Sequence, residues 1–158
     1  AVSCGRDSLL GLFLLLGLLG VVISLQALPG GLTWAQWFTI QHINMTHSRC
    51  NPAMQAVNRH TGLCKRQNTF LHTSFRRAAR VCNTRNVTCP SSGRTNCHSS
   101  RFPVTITYCN ITRNAPNYRN CTYAQTQTRK IYIIACSVRS PRDDRRYAVV
   151  PVHLDKII

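Results

Sequence analysis

The chain has 158 residues, a length that suits one domain, and a net charge of +16 from 20 basic and four acidic residues. The acids are Asp7, Asp143, Asp144 and Asp155, and glutamate is absent, which excludes a two-metal phosphoryl-transfer site built from several carboxylates. A basic excess of this size suits polyanions: nucleic acid, anionic membranes or sulfated glycans.

Residues 1–27 read as a secretory signal, with Arg6 as the basic flank, a nearly continuous Leu/Gly/Val run from Leu9 to Leu25, and small Ala27 at the expected cleavage point. A retained membrane anchor is the alternative reading of the same run. The domain is then 28–158. Cys4 falls in the leader, leaving Cys50, Cys64, Cys82, Cys89, Cys97, Cys109, Cys121 and Cys136. Eight cysteines in a small secreted domain read as four disulfides, without choosing among the pairings. No Cys-x-x-Cys occurs, so no metal site is expected. The sequons at Asn44, Asn86, Asn110 and Asn120 mark candidate glycosylation sites.

Thr33 to Met45 reads as the first helix, with Thr33 and Gln36 at capping-box spacing. Trp34, Trp37, Phe38, Gln41, His42 and Met45 share one face at helical periodicity. Asn51-Pro52 opens a second helix to about Asn58, broken by His60-Thr61-Gly62. A strand follows over Asn68–Leu71, then a third helix over Ser74–Cys82 with Arg76, Arg77 and Arg80 outward. Cys89 to Cys97 is turn-rich, short enough for one disulfide to close. Val104–Tyr108 alternates as a half-buried strand and Ile131–Val138 is an apolar one. Ser140–Arg146 is a charged loop, and Ala148–Leu154 a last strand whose Pro151 requires an edge or a bulge. Early helices followed by antiparallel strands predict a small α+β domain stapled by disulfides, three helices packed on a bent antiparallel β-sheet.

His42, Lys65 and His153 gain meaning if they surround one phosphate. RNA carries its own nucleophile, the 2′-hydroxyl. Its cleavage needs a base for that proton, an acid for the departing 5′-oxygen and a cation for the phosphoryl charge. Two histidines and a lysine supply these without metal or cofactor. Read alone, His42 is more readily a core or capping histidine than a base, and the triple is a weak signal.

The motifs Gln41-His42, Cys64-Lys65-x-x-Asn68-Thr69-Phe70 and Val152-His153-Leu154-Asp155, spaced by eight cysteines, resemble the pancreatic ribonuclease superfamily from about Thr33 to Ile158. Trp34-Ala35-Gln36-Trp37-Phe38 and the ending Val149–Asp155 resemble its eosinophil branch. The resemblance implies His42 as general base, His153 as general acid and Lys65 as transition-state stabiliser. It implies Gln41 on a phosphate oxygen, Thr69 reading a pyrimidine 5′ of the cut, Asn96 on the next base, and Gln67 and Asn68 as further substrate contacts. Leu154 stands where an aromatic packs on the base in the pancreatic enzyme, and Asp155 would support His153. The implied pairing is Cys50–Cys109, Cys64–Cys121, Cys82–Cys136 and Cys89–Cys97. The implied substrate is single-stranded RNA. The ribonuclease inhibitor is a further candidate partner, the chain is expected to be a monomer, and secretion with granule storage goes with the branch. A cationic antimicrobial protein acting on membranes without catalysis is the competing function. Gly62-Leu63 weakens it, because the membrane-active relative carries tryptophan and arginine in that loop.

Overall fold

The computed structural model describes residues 28–158; the leader expected over 1–27 lies outside them. Thr33 caps the first helix, α1 (Trp34–Phe38), through a complete capping box: Gln36 N donates to Thr33 Oγ1, and Thr33 N donates to Gln36 Oε1. The helix does not run as α to Met45. It widens into a π turn over Thr39–Ile43, where Asn44 N bonds Thr39 O and the Thr39 hydroxyl donates back to Ala35 O. Such back-bonding by a mid-helix threonine loosens the regular ladder, and π turns gather at functional positions. Gln41 and His42 lie on this turn.

The other helices are α2 (Cys50–Asn58) and α3 (Phe75–Val81), the latter capped by Ser74. Six strands follow the chain: β1 (Gln67–Leu71), β2 (Cys97–Ser99), β3 (Val104–Arg113), β4 (Thr122–Lys130), β5 (Tyr132–Val138) and β6 (Val149–Ile157). They form two antiparallel three-stranded sheets, ordered β1-β3-β4 and β2-β5-β6, so the expected bent sheet takes the form of two sheets.

Two main apolar clusters divide the interior. One gathers Trp37, Met54, Val57, Phe70 and Tyr123; the other Phe38, Leu71, Ala78, Ile106 and Ile134. Neighbouring residues of α1 (Trp37, Phe38) and of β1 (Phe70, Leu71) go to opposite clusters, so these two elements form the wall between them. The disulfides are Cys50–Cys109, Cys64–Cys121, Cys82–Cys136 and Cys89–Cys97, the same four pairs that the family resemblance implies. Each is worth about 2–4 kcal/mol through restriction of the unfolded chain.

Pro151 sits on the edge strand β6, and β6 is also bulged. Its register against β5 slips twice, leaving Val152 and Asp155 without opposite residues. The two bulges bracket His153, and bulges re-aim the side chains beside them.

Candidate active site

His42 and Lys65 meet at the π turn. His42 is buried against Phe38, and its Nδ1–H donates to the carbonyl of Thr69 at 2.8 Å. A carbonyl only accepts, so the proton sits on Nδ1 and Nε2 keeps its lone pair. Burial foremost, then the Lys65 cation, lowers the His42 pKa to about 3, against a small upward pull from the Thr69 bond. His153 is near enough to add to that depression. His42 is therefore neutral at physiological pH, with a free imine nitrogen, as a general base requires.

Lys65 Nζ donates to Gln41 Oε1 at 2.6 Å and to Asn68 Oδ1 at 2.9 Å. Desolvation lowers its pKa to about 8, so it stays a cation at neutral pH while becoming a stronger hydrogen-bond donor. Asn68, expected as a substrate contact, has another part: it is 3% exposed, and its Nδ2 is committed to Gln41 O at 2.8 Å. Both ends of its amide are taken within the protein, so it locks Lys65 to the π turn. Gln41 spends its Oε1 on Lys65, which leaves its Nε2–H pair to face a phosphate oxygen.

Thr69 does two things. Its carbonyl holds His42, and its half-buried hydroxyl bonds no described residue, which leaves it both donor and acceptor for a base edge. Gln67, beside it on β1, is exposed. His153 is an exposed side chain on bulged β6, and its Nε2 lies 3.4 Å from Asp155 Oδ1. Asn96 is partly committed elsewhere, donating to Cys136 O at 3.1 Å. Leu154 is half-buried against the second apolar cluster, which limits the face it can offer a base. All four sequon asparagines, Asn44, Asn86, Asn110 and Asn120, are exposed.

Sequence reasoning missed Asn58 and Tyr123. Lys65 N donates to Asn58 Oδ1 at 3.0 Å, Tyr123 Oη donates to Lys65 O at 2.5 Å, and Asn58 Nδ2 donates to Tyr123 Oη at 3.0 Å. Burial raises the Tyr123 pKa, keeping the phenol a donor. This closed ring clamps the main chain of Lys65. The available clue was Asn58 itself, a polar residue four positions after Met54 on the buried face of α2. Tyr123→Phe should cost about 1–3 kcal/mol by orphaning buried partners and should reduce kcat by loosening Lys65. Calorimetry and steady-state cleavage check it; an unchanged melting temperature would remove the clamp from the account.

Every described carboxylate is engaged. Asp143 accepts from Thr33 Oγ1 at 2.5 Å and Ser140 N at 2.8 Å, Asp144 pairs with Arg146 at 2.6 Å, and Asp155 accepts from Ser91 N at 3.0 Å. The cationic surface thus meets little internal competition for an anionic ligand.

The profile of the family described as pancreatic ribonuclease matches residues 33–155. The chain is 50% identical over 152 residues to the eosinophil cationic protein of Rattus norvegicus, an alignment that covers 96% of each.

Proposed function

Because this chain belongs to the pancreatic ribonuclease family, in its eosinophil branch, we propose that it cleaves single-stranded RNA after pyrimidines without a metal. His42 Nε2 takes the proton of the 2′-hydroxyl. The 2′-oxygen bonds to phosphorus as the bond from phosphorus to the 5′-oxygen breaks, and His153 gives that oxygen a proton. The product is a 2′,3′-cyclic phosphate; its slower hydrolysis reverses the roles of the two histidines. Lys65 and the Gln41 amide meet the charge gathering on the phosphoryl oxygens. The bond from His42 Nδ1 to Thr69 O carries the reading: it fixes the tautomer a base needs and ties the base to the residue that reads the pyrimidine.

Residues 1–27 would act as a cleaved secretory signal, in keeping with a disulfide-stapled domain. The charge that captures RNA also fits sulfated glycans and anionic membranes, within a host-defence role. All but three of the 20 basic residues are arginine, which pairs bidentately with phosphate and sulfate. Among the described residues no helix is long and apolar enough to cross a membrane. A monomer stored in granules and open to the ribonuclease inhibitor completes the proposal.

The test is cleavage of poly(U) and poly(A) with EDTA present. Wild type should cut poly(U) and spare poly(A). His153→Ala should lose about 100-fold or more. Cleavage should also weaken steeply between about 50 and 200 mM salt, as phosphate contacts are screened. No cleavage by fully oxidised wild type, or full activity in the variant, would overturn the proposal.

A further inference from the structure

His153 is poorly fixed by its own strand. Bulges at Val152 and Asp155 flank it, and its side chain is 59% exposed. Its Nε2 lies 3.4 Å from Asp155 Oδ1, and His42 on the π turn is close enough to feel its charge. Asp155, by contrast, is held firmly. Its side chain is 2% exposed, Ser91 N donates to its Oδ2 at 3.0 Å, and Ser91 Oγ donates to its main-chain O at 2.9 Å. One serine thus grips both the carboxylate and the backbone of the bulged residue.

Ser91 is itself fixed by a closed loop. Cys89–Cys97 joins its ends, Cys89 N donates to Arg94 O at 2.7 Å, and Gly93 N donates to Cys89 O at 2.8 Å. Gly93 takes φ +77°, a left-handed turn that suits glycine. The far end of the loop is Cys97, the first residue of β2, which pairs with Ala135 of β5. Ala135 is also the residue opposite His153. The loop therefore reaches the histidine by two routes, through β5 and through Asp155.

From this geometry we infer that Ser91 is a positioning residue for His153, acting through Asp155. The inference rests on the two-histidine reading above and adds a residue that spacing and motif leave unmarked. With Asp155 Oδ1 set toward Nε2, the neutral ring keeps its proton on Nε2, and Nδ1 becomes the nitrogen that passes a proton to the 5′-oxygen. Ser91 thereby selects which side of the ring does the chemistry. Its hydroxyl also holds the bulge at Asp155 in register, which sets the direction of the imidazole.

The experiment combines nitrogen NMR of His153 with dinucleotide cleavage in wild type, Ser91→Ala and Ser91→Thr. At alkaline pH, wild type should show the Nε2–H tautomer. Ser91→Ala keeps the main-chain N–H on Asp155 Oδ2 but loses the hydroxyl that holds the bulge, so it should show a mixture, with kcat lower by about 3- to 10-fold, the scale of one lost hydrogen bond, and KM unchanged. Ser91→Thr, which keeps the hydroxyl, should restore both. An unaltered tautomer and kcat in Ser91→Ala would overturn the inference, as would an Nδ1–H ring in wild type. The tautomer is read without substrate, so a wild type that bound its proton on Nε2 but cut no RNA would sink the ribonuclease reading and leave the placement of Ser91 intact.

Discussion

Replacing His42 with asparagine should lower kcat on poly(U) by about 10²–10⁴-fold, the usual worth of a positioned general base. Asparagine is the sharper choice over alanine. Its Nδ2 can still donate to Thr69 O, the bond His42 makes at 2.8 Å, but it offers no basic nitrogen. The wild-type acid limb of kcat/KM should lie below 6.5, because burial and Lys65 push the His42 pKa down to about 3. The same shift sets a stability trend. Below 6.5 the unfolded chain binds a proton that folded His42 refuses, so folding weakens as pH falls from 6.5 toward about 3. The asparagine variant should lose that part of the slope. Activity within tenfold of wild type, with the fold retained, would reassign His42 to a packing role.

The second large effect belongs to Lys65. Lys65→Ala should cost about 10²–10³-fold in kcat, the scale of removing one preorganised donor to a developing oxyanion. KM should move far less, since other cations still hold the substrate. Lys65→Arg should recover little: a planar fork cannot occupy the position where one ammonium meets Gln41 Oε1 at 2.6 Å and Asn68 Oδ1 at 2.9 Å. Wild-type kcat should also decline above about pH 8, where desolvated Lys65 gives up its proton. A fully active Lys65→Ala protein would show that transition-state charge is met elsewhere.

What the sequence made legible follows from local chemistry. The capping box at Thr33, the break after Asn58 and the fate of Pro151 each depend on one residue's conformational limits, and each is found. Strand β4 escaped because Thr122–Lys130 is almost wholly exposed: without a buried face, its Thr, Gln and Arg residues carry no period-two apolar signal. It forms because β3 pairs with it along its length, a tertiary cause invisible in the segment. The π turn was hidden in the same way, since an apolar stripe is read the same whether the ladder closes at four residues or five. Trp34 belonged to that stripe yet is 48% exposed at the first position of a five-residue helix. At the site, the motif residues His42, Lys65, Thr69 and His153 were legible through family resemblance. Asn58, Ser91 and Tyr123 were not, because they act on main-chain atoms of other residues, and such contacts leave no pattern along the chain.

The division of the interior into two clusters bears on how the protein responds to its own ligand. Lys65 is clamped by residues of the first cluster's side, and His153 belongs to the strand packed with the second. Cys50–Cys109 and Cys64–Cys121 staple one side, while Cys82–Cys136 staples the other. A phosphate held between Lys65 and His153 would touch both sides at once. It would act as a reversible fifth cross-link, stabilising the fold by mass action as its concentration passes its dissociation constant. Substrate would thus help hold together the enzyme that destroys it, and each turnover would briefly release the tie.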